Sequence, residues 1–203
     1  MRIAIDAMGG DKAPGEIVSG ALAAARELSD IEVLLVGDQA AMEKHVEGAL
    51  PPNVHFHHAP DVVEMGEAPS QALRKKTNSS LAVATQLVAD GFADAVLSAG
   101  NTGACAAFAL FRIGRIKGVD RPGSATVFPS QTKPVVVLDT GANANCKANH
   151  LVEFAVMGAA YARGVAGIIP GTEALSFARE LPTVGLLSIG EEEGKGNDLT
   201  KSA

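Results

Sequence analysis

Four short stretches carry the residue types that could bind or transform an anion: "DAMGGD" (6–11), "SAGNTGA" (98–104), "DTGAN" (139–143) and "SIGEEEGKGN" (188–197). Each joins glycines to hydroxyl, amide or charged side chains, and each comes directly after an apolar run. Open α/β sheets bind ligands beyond the carboxyl ends of their strands, where helix N-termini and free backbone N–H groups converge. Four such loops predict one shared cleft. The competing reading of any single loop is ordinary turn chemistry, for which glycine is equally suited.

Two nucleotide motifs are excluded. A P-loop needs GxxxxGK followed by a hydroxyl. Here Gly190 and Gly194 are separated by three glutamates, and Gly196 follows Lys195; the carboxylates would also repel a triphosphate. No GxGxxG spacing occurs, so nicotinamide chemistry lacks its best sequence support.

The elements that must position these loops follow from hydrophobic pattern. Short apolar runs alternate with stretches of helical period, which predicts parallel βαβ units with both sheet faces covered. Strands are expected at 2–6, 32–36, 54–58, 93–97, near 125–128 and 135–138, and at 184–187. A helix follows Pro14, with Ile17, Val18, Ala21, Leu22, Ala25 and Leu28 on one face. Further helices are expected at 39–48, at 80–90, from the 98–103 loop to about Ile113, from about Asn149 to Arg163, and at the final "LTKSA". The stretch 164–182, with Gly164, Gly167, Pro170, Gly171 and Pro182, is the least regular and reads as an insertion.

Bulk properties restrict the class. A chain of 203 residues with 47% hydrophobic content can bury a core as one domain or as two lobes of one α/β unit. The window 151–170 is broken by Glu153 and Arg163, which fits a packed helix and not a bilayer span. The start reads directly as a strand, so Met1 is the expected beginning of the mature chain. Only Cys105 and Cys146 are present, which suggests a reducing cytoplasm without structural disulfides or a thiolate zinc site. A net charge of −6 argues against general nucleic-acid binding but allows local basic patches.

"IAIDAMGGDKAPGEIV", "DAVLSAGNTGA", "VVVLDTGANANCK" and "VGLLSIGEEEGKGND", in that order, resemble the bacterial phosphate acyltransferases of the PlsX family. These proteins transfer a fatty acyl group from acyl carrier protein to inorganic phosphate, giving acyl phosphate for phospholipid synthesis. The resemblance spans essentially the whole chain apart from 164–182. Family chains continue further, so this sequence resembles their N-terminal portion. The implied fold is a three-layer α/β/α domain over 1–203 with a mostly parallel sheet, like that of the isocitrate and isopropylmalate dehydrogenases. The implied partners are acyl carrier protein, inorganic phosphate and a second copy of the chain, with no nucleic acid, cofactor or metal. The implied location is the cytoplasm, with peripheral association at the inner membrane face through the absent part. That part would also complete the cleft and the dimer, so these 203 residues alone are expected to be poorly active, with an open sheet face.

On this resemblance Lys195, Asn197 and Asn101 are the candidate catalytic residues. Asp6, Gly9, Gly10 and Asp11 in the first loop, and Ser98, Gly100, Thr102 and Gly103 in the second, are candidate substrate ligands. Asp139, Gly141 and Asn143 join them from the third, and Glu191 and Glu192 from the fourth. Ser98, Thr102, Asn101 and the N–H groups opening the next helix would cradle phosphate or the thioester oxyanion, and Lys195 would neutralise phosphate. A solvated salt-bridge loop is the alternative for Lys195. Phosphate is itself a nucleophile, so direct attack needs no acyl-enzyme; Cys105 and Cys146 read as small buried hydrophobes. His55 and His57 share a strand face without a third metal ligand. The basic residues Arg112, Arg115, Lys117 and Arg121 suit either an acidic carrier protein or a solvated loop, and Arg74, Lys75 and Lys76 either a cleft rim or a solvated helix face. Other functions that fit are a phosphate acetyltransferase using acyl-CoA, a metal-dependent dehydrogenase of the related fold, and a non-catalytic fragment.

Overall fold

The computed structural model describes residues 1–131, 134–165, 182–190, 192 and 194–203. The chain forms two compact units, Met1–Gly114 and Arg115–Ala203.

The first unit is built on four parallel strands, β1 (Arg2–Asp6), β2 (Glu32–Gly37), β3 (Val54–His58) and β4 (Ala95–Leu97), in the order β3-β2-β1-β4. The pleat sends Ile5, Val33, Leu35 and Val54 to one face, and Ala4, Val36 and Val96 to the other. Helix α1 (Gly15–Glu27) covers the first face with Val18, Ala21, Leu22 and Ala25, spaced i, i+3, i+4, i+7. Met42 of the short helix α2 (Gln39–Glu43) joins the same cluster. Helix α4 (Ser80–Ala89) covers the second face with Ala84 and Leu87. The result is the predicted three-layer α/β/α arrangement, with both strand faces apolar because both are covered. Leu22, Val33 and Leu35 are at most 2% exposed, and each such burial contributes about 1.5–3 kcal/mol relative to exposure.

Some elements differ from expectation. Helix α2 ends at Glu43, not near residue 48, because the His45 and Val46 N–H groups turn back to the Met42 and Glu43 carbonyls. Helix α3 (Pro69–Lys75) was not anticipated: it buries only Ala72, too little for a periodic signal. The helix after residue 101 is α5 (Thr102–Phe108), continued by a π-helical turn at Ala109–Ile113. Phe108 and Ala104 of α5 pack with Ala72 and Leu81 in a third apolar cluster. The Arg112 guanidinium closes this end of the unit, lying 5.5 Å from the Phe108 ring centroid and donating to Gln86 Oε1 and the Thr77 carbonyl, both at 3.0 Å.

In the second unit β5 (Ala125–Phe128) and β6 (Val135–Leu138) pair antiparallel, against the parallel expectation. The few residues joining them cannot hold the crossover that parallel strands require. Helix α6 (Ala148–Val165) buries Phe154 and Ala162, and a short α7 (Asp198–Ser202) stands where "LTKSA" predicts a helix. The expected strand at 184–187 does not form. No strand among the described residues pairs with it, and Leu187 and Ile189 are 87% and 85% exposed. The predicted insertion lies outside the described residues over 166–181. No described helix is long and apolar enough to cross a membrane.

Asn53 ties the first layer to the sheet. Its Nδ2 donates to the carbonyls of Ala25, Leu28 and Ile31 at 3.0, 3.4 and 2.9 Å, collecting the end of α1 and the turn into β2. Asn53→Ala removes all three bonds and leaves the Leu28 carbonyl only the Ile31 N–H at 3.3 Å, so we expect a loss of about 1–3 kcal/mol, read as a lower urea midpoint at unchanged slope. An unchanged midpoint would show that water replaces the amide without cost.

Candidate functional site

The chain lays down β1, β2 and β3 in one direction across the sheet and then returns to place β4 on the other side of β1. The loops after β1 and β4 thus leave from the switch point of the sheet, where open α/β sheets place their ligand crevice. Ile5 and Leu97 are the last registered pair, so the next residues, Asp6 and Ser98, point to the same face. Ser98 Oγ donates to Asp6 Oδ2 at 2.7 Å, and the Met8 N–H reaches Asp6 Oδ1 at 3.3 Å. Asp6 is 3% exposed. Among the described residues no cation pairs with it.

Glycine lets the two loops touch through their backbones. A Cβ on Gly9 would sit 2.5 Å from Asp6 Oδ2 and 3.0 Å from the Gly100 nitrogen, and one on Gly100 would sit 3.1 Å from the Gly9 Cα. The Gly100 N–H donates to Ser98 Oγ at 3.1 Å. Gly10 packs against the Ala99 carbonyl, and Asp11 is exposed beyond it.

Asn101 begins α5 as its N-cap. Its Oδ1 accepts the Ala104 N–H at 3.0 Å, while Nδ2 donates to the carbonyls of Glu64, Met65 and Glu67. Both ends of the amide hold backbone. The exposed Thr102 hydroxyl and the first-turn N–H groups of Thr102 and Gly103 are what this loop offers a ligand. Gly103 itself is needed for packing, since a Cβ there would lie 2.8 Å from Pro69 Cγ. Cys105, half-buried on α5, faces Ser98. Burial pushes its thiol above the ordinary range, the Ser98 hydroxyl pulls it part of the way back, and the Asp6 charge adds to the rise. Sequence reading missed this neighbour because only the β1–β4 pairing brings α5 over Asp6.

In the second unit the Asp139 carboxylate staples its own loop. It accepts the N–H groups of Ser124 at 2.6 Å, Ala142 at 3.3 Å and Asn143 at 2.7 Å. The Asn143 amide bridges Asp139 and the Pro122 carbonyl, and Gly141 makes the turn with φ +98°. Alongside lies His150, 2% exposed. Its Nδ1 accepts the Lys147 N–H at 3.1 Å, which leaves the proton on Nε2 to bond Asp120 Oδ2 at 2.7 Å. Three members of the basic stretch are spent on backbone: Arg112 on Thr77, Arg115 on Asp120 and Arg121 on Asn145.

The glutamate-rich loop ends in a capping box. Asn197 Oδ1 accepts the Thr200 N–H, and Thr200 Oγ1 accepts the Asn197 N–H, both at 3.0 Å. Gly196 takes φ +95°, which only glycine adopts readily. The Lys195 stem and the Glu192 carboxylate flank Gly190, where a Cβ would lie 2.6 Å from Glu192 Oε2 and 3.1 Å from Lys195 Cγ. Lys195, Asn197 and Glu192 are exposed, and the Lys195 ammonium makes no ion pair among the described residues. Glu191 lies outside the described residues. The structure thus brings Asp6, Gly9, Ser98 and Gly100 together, joins Asp139 to Asn143, and gathers Glu192, Lys195 and Asn197 in one loop.

The model of the family described as "Fatty acid synthesis protein" matches residues 1–203, the entire chain. The chain belongs to that family. A "Phosphate acyltransferase" of Desulforamulus reducens is 51% identical over 98% of this chain and 57% of its own length. One of Nostoc punctiforme is 50% identical over 100% of this chain and 57% of its own. The motif-based resemblance to the family is borne out, and the chain spans little more than half the length of these curated relatives. Among solved structures, a phosphotransacetylase from Streptococcus pyogenes shares the fold, with a TM-score of 0.60 at 16% identity over 81% of this chain and 54% of that one.

The His150 hydrogen bond holds the Asp120 carboxyl below its usual 3.8, with smaller help from the charges at Arg115 and Lys147. A depressed carboxylate contributes stability that is whole above the usual value and lost as pH falls through the lower folded one. Asp120→Asn should therefore flatten the acid limb of stability as pH falls through and below the usual carboxylate range in urea unfolding. An unaltered limb would mean that the His150 bond adds nothing.

Proposed function

We propose that this chain carries out phosphate-dependent acyl transfer: an acyl group passes from the thioester of acyl carrier protein to inorganic phosphate, giving acyl phosphate. The observation that carries this reading is the near-50% identity, across the whole chain, to proteins named phosphate acyltransferase. The chemistry of the loops supports it. Phosphate and the tetrahedral oxyanion are both anionic, and Lys195 is a cation with no ion pair among the described residues. The N–H groups opening α5 and the Thr102 hydroxyl are donors of the kind that an oxyanion needs, and one such donor aimed in a dry site is worth about 3 kcal/mol. The Asn197 Nδ2, which has no partner among the described residues, is a further donor in the loop of Lys195, and Glu192 and Glu191 are assigned to substrate binding with it. Asn101, Asp139 and Asn143 are assigned the task of holding these loops in shape.

The reading takes the 203 residues as one catalytic domain of the isocitrate and isopropylmalate dehydrogenase-like class. Acyl carrier protein, inorganic phosphate and a second copy of the chain are its proposed partners, with peripheral attachment at the inner membrane face. Acyl-CoA as the acyl donor is the second reading, favoured by the fold shared with a phosphotransacetylase; turnover of matched acyl-carrier and acyl-CoA thioesters separates the two.

Acyl phosphate trapped as a hydroxamate tests the activity directly. In the full-length protein, Lys195→Ala removes a charge-assisted contact to phosphate of about 1.5–3 kcal/mol, so kcat/KM for phosphate should fall by about 10- to 100-fold at unchanged melting temperature. Wild-type phosphate kinetics in this variant would reduce Lys195 to a surface charge.

The raised Cys105 thiol stays protonated near neutrality, which suits direct attack by phosphate. Cys105→Ser and Cys146→Ser, singly or together, should remain active. An acyl-enzyme trapped from acyl carrier protein in the absence of phosphate would overturn direct attack.

A further inference from the structure

Asp6 presents a problem that a purely structural role does not resolve. A carboxylate 3% exposed is costly to bury without a cation, and none pairs with it among the described residues. It sits beside the crevice of the sheet, where an anionic substrate would meet unfavourable charge. Its short bond is to a hydroxyl, Ser98 Oγ at 2.7 Å. A hydroxyl has one proton to give and two lone pairs. Ser98 gives its proton to Asp6 and takes the Gly100 N–H on one lone pair, and the residue is only half-buried. The other lone pair faces the Cys105 thiol, a weak donor that the proton of a ligand can displace.

Resting on the acyl-transfer reading above, we infer that Asp6 and Ser98 form a proton relay that carries the phosphate proton to the departing sulfur. The overall reaction needs such a transfer. Hydrogen phosphate attacks the thioester carbonyl carbon through an unprotonated oxygen, the C–O bond forms, and the C–S bond breaks. The proton remaining on phosphate becomes acidic once that phosphate is acylated, while an alkyl thiolate leaves poorly unless protonated. Ser98 Oγ takes the phosphate proton as its own proton passes to Asp6 Oδ2. In the return step Ser98 Oγ protonates the sulfur and Asp6 hands its proton back. One proton has moved from phosphate to thiol, and both residues end as they began. Ser98 touches the reacting atoms and is the catalytic residue; Asp6 acts through it.

The surroundings suit this. From α5 the Cys105 thiol faces Ser98, and its raised range keeps it from competing as a base. His57 lies on the same sheet face two strands away, in register through Val36, and is exposed. Asp11 and Lys12, further along the Asp6 loop, are exposed. Gly9 and Gly100 bring no side chain against the pair; a Cβ on them would lie 2.9 and 3.2 Å from Ser98 Oγ.

The test compares two thioesters of one acyl group in the full-length protein with saturating phosphate: the alkyl thioester on acyl carrier protein and an aryl thioester of thionitrobenzoate. The aryl thiolate leaves without a proton. Asp6→Asn and Ser98→Ala should each cut turnover of the alkyl thioester by about 100-fold or more but that of the aryl thioester by less than about tenfold. Equal losses on both thioesters would assign the pair a structural role, and no loss on either would remove it from the reaction; both results overturn the relay. Should Asp6→Asn fail to fold, Ser98→Ala, which removes one half-buried atom, decides alone. A wild-type protein inert toward both thioesters would refute the acyl-transfer reading itself, and the relay with it.

Discussion

The hydrogen bond between Asp6 and Ser98 depends on two strands being parallel neighbours, and the organisation of the first unit follows from that pairing. The register of β1 against β4 ends both strands at the same level, which puts a carboxylate and a hydroxyl side by side. Parallel neighbours need crossovers, and the crossover helices cover both faces of the sheet. Helix α4 leads into β4, and α5 leaves from the loop beyond it, so the two helices and the third apolar cluster settle at the same end as the polar pair. Apolar burial holds this unit together, and the polar contact marks where its loops must meet.

Polar residues of the glycine-rich motifs serve backbone before they can serve a ligand. Asn101 gathers three carbonyls and caps a helix, Asp139 accepts from three backbone donors, and Asn197 closes a capping box. Each would otherwise leave buried or end-of-helix groups unpaired, at a cost comparable to that of a lost hydrogen bond. Among the described residues what remains outward includes the Thr102 and Ser188 hydroxyls, first-turn N–H groups of α5, Lys195 and the amide nitrogen of Asn197. A rigid loop with few free donors fits recognition of a small anion better than recognition of a large polar ligand.

Much of the first unit was legible in the sequence, because period and chemistry agreed there. The apolar runs of β1 and β2, the face of α1 and the glycines after β1 all pointed to one arrangement. Strand direction was less legible: β5 and β6 have the composition of buried strands, and only the short link between them reveals that they must be antiparallel. The run at 184–187 shows a different limit, since apolar residues make a strand only where a neighbour supplies a ladder, and none does among the described residues. Side-chain roles were hardest to read. Asn101 has the right chemistry for a ligand, but its three carbonyl partners lie more than thirty positions earlier in the chain. Cys105 was read as a small hydrophobe, and its place facing Ser98 requires knowing which strands are adjacent.

The contact between Gly9 and Gly100 has a consequence for how this loop pair can change over evolutionary time. Steric conflicts in a core are usually relieved in two steps, a larger residue at one position and a smaller one opposite. Between these two positions the opposing atoms are a Cα and a backbone nitrogen, and the residue that would have to shrink is already glycine; at Gly9 the tighter conflict, 2.5 Å, is with Asp6 Oδ2 of the polar pair itself. No second substitution at the partner makes room for the first. The two positions therefore have no compensatory route between them, and a lineage that loses Gly9 must displace the Asp6 carboxylate and with it the bond to Ser98.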